Sequence, residues 1–574
     1  MRSRRTLLAG ASAAAAGGLL ALSLLLGLNG DLQYVIGVQD VRGGGIGGAL
    51  RTFAHRPVLY RVFVGTIDNA LQLIGLRPSA LVAYEAVFRV AAVVVAVLAA
   101  WLLARGLRGR VGRVPAAWTS IAVALALVFA PNWDFLQPEW LATLFGVIAI
   151  GIALLPRRAT VAGGLSGGLL VAAFAAKIST APIALLALLA IAVLDRRRAV
   201  AAGLGGVAWF LFALVLLAAF PLERRWLANM IALNPYSPLR SGISIDQLSN
   251  ALRSLASKAA LSPAVLLLPA ATVVASRFTP GGRARGGWAG AVTIAALLAA
   301  APMIVQGEPY YPYHLAALPV LAAGLCGYTA GRWAERGALP VAVPITLAAT
   351  AAAGAWLMTN SNHWRLANLD LLVEVLLGVA ALLAVLAALF LTVRTGPASN
   401  GSPAANAPGV PTDRRRLAGV MVAAGVAILP VLLPATAWSL DPRVTQRTNA
   451  SWEAESLASH DAWGAMSEEI GRNTPVLYLA YGTVPYHMGN PTPCRYPSPL
   501  WLRHTDLVYV RAFFSYTDNE ACLRSPTPRY LVLAPAWLPL QSLLPRDFAL
   551  VRRLYDCGRT ALVEAGILAC ARRS

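Results

Sequence analysis

Several charged side chains of this sequence stand at the ends of long apolar runs, where a membrane helix would meet water. Asp31 follows the apolar run from Thr6 to Leu28 after two residues. A carboxylate is costly at a membrane edge beside a shielded cavity and is a functional hypothesis by default. It can accept the proton of an attacking hydroxyl group, so Asp31 is a candidate general base.

Other acids compete with Asp31 or support it. Asp31 could instead be solvated or pair with Arg42, and Asp40 is a second candidate base. Asp40 lies in VQDVRGGGIGG, whose glycines would let backbone approach a ligand, although a plain turn explains them equally well. Asp134 and Glu139 could orient an acceptor, bind a metal with Asp31, or only cap the next helix through its dipole.

Candidate phosphate ligands accompany these acids. Apart from Lys258, Lys177 is the only lysine in a chain that otherwise uses arginine, which suggests that a compact ammonium is wanted there. Snorkelling of its ammonium to the interface is the alternative. His55 and Arg56 could contact the phosphate or sugar of a donor. His314 with Tyr310, Tyr311 and Tyr313 could line the donor site, although an aromatic belt at the interface also explains the tyrosines and a structural role explains His314.

The elements that must position these residues are membrane helices. The chain has 574 residues, of which 57% are hydrophobic and 13% are charged, whereas a soluble domain carries about 25% charged residues. Repeated runs of about 20 apolar residues predict about thirteen transmembrane helices. We place them near 7–28, 80–104, 116–131, 139–155, 160–176, 179–194, 199–220, 261–276, 288–305, 315–331, 338–357, 370–393 and 417–438.

The loops between these runs alternate in charge. Arginine clusters recur at every second loop, for example at 105–113, 196–198 and 414–416, and the positive-inside rule makes those loops cytoplasmic. The alternate loops are acidic and aromatic and are predicted to face outward. The net charge of +22 is therefore mostly orientation charge, with some attraction to the lipid bilayer, and we expect no nucleic-acid partner.

Two domains are predicted: a membrane body, residues 1–438, and an extracytoplasmic C-terminal domain, residues 439–574. The body contains a long first outer loop, 29–79, with apolar residues at helical spacing. Two apolar segments and one helical segment predict a small α/β fold for the tail. Its even number of cysteines predicts two disulfides among three alternative pairings, of which we favour Cys494–Cys522 and Cys557–Cys570.

The order of several motifs resembles the glycosyltransferase C superfamily, which includes protein mannosyltransferases, the lipid A aminoarabinose transferase and actinobacterial arabinosyl- and mannosyltransferases. The matching segments are Asp31 with Tyr34, HRPVLYR (55–61), WDFLQPEWLATLFG (133–146), GGLLVAAFAAKIST (167–180), QGEPYYPYHLAALPVL (306–321) and YGTVPYHMGNPTPCRYPSPL (481–500). The sequence departs from the family pattern because no Asp-Glu pair follows the first span, and His-Arg-Pro-Val-Leu replaces the usual Pro-Pro-Leu.

The resemblance implies an all-α polytopic membrane protein with a small extracytoplasmic α/β domain. It implies a plasma-membrane transferase, with its N-terminus in the cytoplasm, that inverts a sugar delivered on polyprenyl phosphate. The acceptor is a cell-envelope glycan, glycolipid or protein. Asp31 would be the base, Lys177 and Arg56 would hold phosphate, and Tyr34 and Asp134 would orient the acceptor.

Several alternatives remain open from the sequence. Mg²⁺ or Mn²⁺ is a possible cofactor, because metal use varies in the superfamily and hard cations prefer carboxylates. Arabinose and mannose are the first candidate sugars because the arginine-rich composition is typical of GC-rich bacteria. A transporter or flippase of envelope precursors would also be multispan. A non-catalytic scaffold for envelope assembly is the third possibility.

Overall fold

The computed structural model of the chain describes most of its residues. The described ranges are 17–24, 26–54, 56–155, 158–233, 244–278, 282–306, 311–335, 342–393, 427–434, 448–499, 502, 513–558 and 562–573. The linker 395–413 lies outside these ranges, as do half of the predicted first span, 7–28, and most of the predicted last span, 417–438.

Every span predicted between residues 80 and 393 coincides with a helix. Helices form here because backbone polar groups in lipid can bond only to one another. Within the described ranges, seven helices are long and apolar enough to cross a membrane, or eight if one bent pair counts as a span, and three more apolar helices are shorter. The polytopic helical fold is confirmed, and the total of about thirteen spans stays a prediction.

Three helices form the segment predicted as the first outer loop: α1 (Gly30–Asp40), α2 (Gly45–Arg51) and α3 (Val58–Leu73). The helices that follow are α4 (Leu81–Val111), α5 (Arg113–Phe129), α6 (Pro138–Leu154), α7 (Ala159–Ala176), α8 (Ala181–Leu194), α9 (Arg196–Ala219), α10 (Pro221–Leu233), α11 (Ile245–Leu261), α12 (Pro263–Arg277), α13 (Gly282–Gln306), α14 (Ala317–Glu335), α15 (Ala342–Thr359), α16 (Asn362–Ala367) and α17 (Leu369–Val393).

The C-terminal region is the predicted α/β structure. Its helices are α18 (Asn449–Ile470), α19 (Thr483–Met488), α20 (Phe514–Leu523) and α21 (Pro545–Leu554), and its strands are β1 (Val476–Leu479), β2 (Tyr530–Leu533), β3 (Tyr555–Asp556), β4 (Leu562–Glu564) and β5 (Ile567–Arg572). The strand order is β1-β2-β5-β3, with β4 also paired to β5. Strands β1 and β2 are parallel, and the pairs made by β5 are antiparallel.

Both predicted disulfide pairs are present in this region. Cys494 is bonded to Cys522, and Cys557 is bonded to Cys570. The second bond joins the segment after β3 to β5, and the first joins a loop to α20. Cys326 in α14 is a free thiol.

The C-terminal region packs directly on the first outer loop. A β-carbon on Gly37 of α1 would lie 2.4 Å from the backbone nitrogen of Tyr486 in α19, so the two helices can approach only because residue 37 is glycine. Tyr486 itself belongs to the apolar core of the helical body. On the other side, Phe53 and Trp226 belong to the C-terminal core. The first loop and the C-terminal region therefore lie on the same side of the body.

Candidate functional site

Asp31 lies in the first turn of α1 with both carboxylate oxygens occupied. The side chain of Asn29 caps the helix by accepting a hydrogen bond from the Asp31 backbone N–H at 2.8 Å. Arg56 donates to Oδ2 at 3.1 Å, and the Tyr481 hydroxyl donates to Oδ1 at 2.8 Å. The side chain of Asp31 remains 28% exposed, so a substrate hydroxyl can still reach it.

The turn before Asp31 is held by two carboxylates, one buried and one half-buried. Glu85 of α4 accepts from the backbone N–H of Leu28 at 2.8 Å, and Glu453 of α18 accepts from that of Gly27 at 3.0 Å. Glu85 also accepts from Tyr486 at 2.9 Å. These contacts fix the position of α1. No local pattern in the sequence indicates them, because the partners lie far apart along the chain.

Glu139 is the centre of a second charged group. It is fully buried in the first turn of α6, where its Oε1 accepts from Lys177 Nζ at 2.8 Å and lies 2.8 Å from His314 Nδ1. Lys177 also lies 5.5 Å from the ring centre of Tyr313. Glu139 therefore does more than cap a helix, and Lys177 does more than snorkel, because each side chain is held by charge pairing.

Asp134 forms a third ion pair, with Lys258 of α11 at 3.9 Å. Burial raises the pKa of Asp134 to about 6, Lys258 opposes that rise, and the nearby Glu139 adds to it. The loop that carries Asp134 includes two non-glycine residues at positive φ, Asn132 and Leu136. Such strain concentrates at functional sites. The sequence analysis missed Lys258, although its rarity argument for Lys177 applies equally to it.

Shared neighbours join these three groups into one site. Tyr60 of α3 lies within electrostatic reach of Arg56, Asp31 and Glu139. Its hydroxyl donates to the backbone carbonyl of Leu136 at 2.9 Å. Burial lowers the pKa of the Arg56 guanidinium, but the Asp31 carboxylate together with Tyr313, Tyr60 and Tyr481 outweighs that effect and leaves the pKa raised. Arg56 is therefore a permanent cation at this site.

Tyr34 is a buried residue that packs against the site. It is 2% exposed and its ring lies 5.1 Å from that of Tyr481. Burial is the main cause that raises the pKa of the Tyr34 hydroxyl above its usual value. A β-carbon on Gly482 would lie 2.0 Å from the Tyr34 ring, so this packing requires glycine at position 482. Tyr34 contributes to the shape of the site more than to its exposed surface.

Two predicted candidates lie elsewhere, and two lie outside the described residues. Asp40 is at the opposite end of α1, nine residues from Asp31, which at about 1.5 Å per residue is about 14 Å. Arg42 donates to the carbonyls of Thr492 and Pro493, so the suggested pairing of Arg42 with Asp31 is wrong. His55 and Tyr310 are not described.

The donor set does not fit a divalent cation. No group of three or more His, Cys, Asp or Glu side chains with metal-site geometry occurs in the described part of the chain. Asp31 and Glu139 are already neutralised by Arg56 and Lys177, whereas a hard cation needs several carboxylate or carbonyl oxygens that it can claim. We therefore assign no step of the reaction to a metal ion.

An apolar cavity of about 740 Å³ begins beneath the charged groups. Thr143, one turn after Glu139, and Ala317, three residues after His314, line its upper end. Arg110 and Leu194 line its other end, near the arginine-rich loops. Most of the remaining lining is aliphatic, from α4, α6, α8, α13 and α14. The cavity would accept a long hydrocarbon chain whose polar end meets the charged groups.

Comparison with known proteins identifies the fold. No family model and no curated protein matches the sequence. Two crystal structures of ArnT from Cupriavidus metallidurans do match the structure, with TM-scores of 0.51 for the apo state and 0.53 for the state bound to undecaprenyl phosphate. In both comparisons the sequence identity is 15%, and the alignment covers 99% of this chain and 98% of the ArnT chain.

The chain has the ArnT fold.

ArnT is an aminoarabinose transferase of the glycosyltransferase C family, so the fold that the sequence resemblance implied is confirmed. The match includes the C-terminal region as well as the helices, because it spans nearly the whole of both chains. The roles of individual side chains do not follow from a match at 15% identity. They have to be argued from the site itself.

Proposed function

We propose that this protein is a membrane glycosyltransferase that takes its sugar from a polyprenyl-phosphate donor. The single observation that carries the proposal is the apolar cavity whose lining begins at Thr143, one turn along α6 from the Glu139 that pairs with Lys177, in the site that also holds Asp31 and Arg56. Such a site matches a donor with an anionic phosphate head and a long apolar tail. The ArnT structure with bound undecaprenyl phosphate supports a donor of this chemistry.

The cations suit the leaving group. As the glycosidic bond to phosphate breaks, negative charge builds on the phosphate oxygens. Arg56 offers a planar fork of N–H donors, and Lys177 offers a compact charge. Lys258, held by Asp134, is a third candidate cation at the same site. Preorganised cations stabilise such charge most where water is excluded.

Asp31 suits the acceptor. In the proposed step, the acceptor oxygen forms a bond to the anomeric carbon while the bond from that carbon to the phosphate oxygen breaks. The bonding electrons leave with polyprenyl phosphate, and the hydroxyl proton passes to Asp31. One displacement inverts the anomeric carbon. Oδ2 of Asp31 becomes free for the acceptor hydroxyl if Arg56 moves from it to the arriving phosphate, so donor binding should precede proton transfer.

The proposal places this reaction on the outer face of the plasma membrane. Nucleotide sugars are absent there, so a lipid must carry the donor across. The arginine clusters at every second loop support a cytoplasmic N-terminus and an extracytoplasmic C-terminal region. Arabinose and mannose remain the first sugars to test, and the acceptor is an envelope glycan, glycolipid or protein.

A donor panel tests the proposal. Purified protein in lipid is offered radiolabelled polyprenyl-phosphate sugars with an envelope extract, and release of polyprenyl phosphate is followed. We expect release from one donor, with a loss of about 100-fold or more in Asp31→Asn, because a general base contributes about 10²–10⁴. Product of retained configuration would contradict a single displacement. Failure of every donor would favour a transporter or scaffold.

A further inference from the structure

The C-terminal sheet presents its strand ends to Asp31. β1 and β2 are adjacent and parallel. Tyr481 lies two residues after β1, and Trp537 lies four residues after β2. Ligands of open α/β sheets bind at the carboxyl ends of the strands, because the loops there meet in a crevice. In this protein that edge of the sheet abuts the candidate base.

Aromatic rings fill this edge. The rings of Tyr481 and Trp537 have their centres 6.0 Å apart and are inclined by 55°. Tyr481 reaches Asp31 directly through its hydroxyl, at 2.8 Å. Trp537 is only partly buried, although it packs against the C-terminal core. Trp537 therefore offers a flat, half-buried apolar surface. Only the Tyr481 ring separates this surface from the Asp31 carboxylate, which accepts hydrogen bonds.

A second tryptophan from the C-terminal region touches the same turn. The indole N–H of Trp452 donates to the backbone carbonyl of Leu28 at 3.4 Å. Its ring also lies against Gly30, where a β-carbon would be 3.2 Å away. Trp452 and Tyr481 therefore approach Asp31 from two elements of the C-terminal region, α18 and the end of β1.

We propose that Trp537 and Tyr481 form a platform for the sugar ring of a glycan acceptor whose reactive hydroxyl points to Asp31. A pyranose or furanose ring has an apolar C–H face and polar edges. The face packs on an aromatic ring, while an edge hydroxyl hydrogen-bonds to a carboxylate. A peptide or phospholipid hydroxyl has no such flat face. This inference rests on the proposed function and narrows its acceptor to carbohydrate.

Tyr481 acts as a positioning residue in this arrangement. Burial, and then the Asp31 carboxylate, raise the pKa of its phenol well above the usual value. The phenol therefore stays protonated and keeps donating to Oδ1. That contact leaves Oδ2, now held by Arg56, as the oxygen that faces an acceptor once Arg56 has turned to phosphate.

The test compares Trp537→Ala and Trp537→Phe with wild type in lipid nanodiscs. Methyl glycosides of di- and trisaccharides serve as acceptors, and a threonine peptide serves as the non-carbohydrate probe. We expect Trp537→Ala to raise the KM for the glycoside about tenfold without changing the KM for the donor. Trp537→Phe should restore most of the affinity. Trp463→Ala, which removes a ring that contacts His487 and Ala565 instead, should change neither KM.

Saturation-transfer NMR without donor separates the two proposals. If no donor is turned over, the proposed function fails, yet glycoside binding that is lost in Trp537→Ala would still support the platform. If wild type turns over donor and Trp537→Ala leaves glycoside KM and binding unchanged, the platform is overturned while the transferase stands. Preferred use of the threonine peptide would also overturn it.

Discussion

In the proposed reaction, Asp31 can accept the proton of the acceptor only after one partner of its carboxylate has left. Arg56 occupies one carboxylate oxygen and Tyr481 the other, at 3.1 Å and 2.8 Å. Arg56 is also the residue best shaped to bind the phosphate of a donor. One side chain would thus couple arrival of the donor to activation of the base.

The Glu139–Lys177 pair allows structural and functional roles to be separated. Breaking a buried ion pair by removing one partner costs about 3–5 kcal/mol, whereas replacing both partners by apolar groups is often neutral. We expect Glu139→Leu to lower the melting temperature and abolish transfer. Glu139→Leu combined with Lys177→Leu should recover the melting temperature but not the transfer. Recovery of activity in the double variant would exclude a role of Lys177 in binding phosphate.

Asp40 gives a prediction about pH and stability. Burial and the neighbouring Asp68 raise its pKa to about 7, against the opposing charge of Arg77. The folded protein therefore holds this proton more tightly than the unfolded chain, so Asp40 lowers stability progressively as pH rises from about 4 to 7. We expect Asp40→Asn to raise the melting temperature at pH 8 more than at pH 5. An equal change at both values would contradict the cited cause.

At the scale of elements, the contact between α1 and α19 determines where the C-terminal region lies relative to Asp31. Gly37 and Tyr486 touch backbone to backbone. We expect Gly37→Ala to displace α19, lower the melting temperature and reduce transfer at least tenfold, because a misplacement of about 1 Å can cost about 100-fold. Differential scanning fluorimetry and the donor assay measure both effects.

Gly464→Ala is the matched control for Gly37→Ala. Nothing lies within 4 Å of the β-carbon that it adds in the interior of α18. Alanine is a better helix former than glycine by about 1 kcal/mol, so this variant should be as stable as wild type or more stable. Full activity in Gly37→Ala would show that α1 and α19 need not approach as closely as they do.

The loop before α6 is the other element that shapes the site. Pro138 begins the helix, and the residues before it reverse the chain through two positive φ angles. This strain is held by burial of the loop and by the bond from Tyr60 to Leu136. The same loop places Asp134 beside Lys258 and Glu139 beside Lys177, so its conformation organises two ion pairs at once.

At the scale of the whole molecule, the apolar cavity should determine how donors with long tails bind. Ala190 of α8 lines the cavity, and tryptophan there would fill part of it. We expect Ala190→Trp to raise the KM for a long polyprenyl-phosphate donor about tenfold or more, and to have less effect on a short-chain donor. Steady-state kinetics with both chain lengths measures the difference.

Leu185→Trp is the matched control on the same helix. Leu185 does not line the cavity, and it is 54% exposed on the outer surface of the helical body. Its replacement by another apolar residue should leave both donors unaffected. Equal inhibition of long and short donors by Ala190→Trp would indicate that the cavity does not hold the tail.

The sequence by itself determined the helical membrane body and the α/β C-terminal region. Hydrophobic length is a local property, and lipid forces such a run to satisfy its own backbone, so each run predicted as a span between residues 80 and 393 coincides with a helix. The favoured cysteine pairs are also those of the structure. The rarity of lysine in this sequence singles out Lys177 and, by the same reasoning, Lys258.

Only the tertiary structure decided how the charged residues pair. The bond from Tyr481 to Asp31 joins residues 450 positions apart, and the contact of His314 with Glu139 joins residues 175 apart. Nothing local specifies such partners, because each depends on how helices and a sheet edge pack in three dimensions. Because of the same packing, Arg42 bonds to the carbonyls of Thr492 and Pro493, and Arg56 is the arginine that pairs with Asp31. It also placed the ring of Trp537 against that of Tyr481, whose hydroxyl binds Asp31, so a residue of the C-terminal region contacts the candidate base.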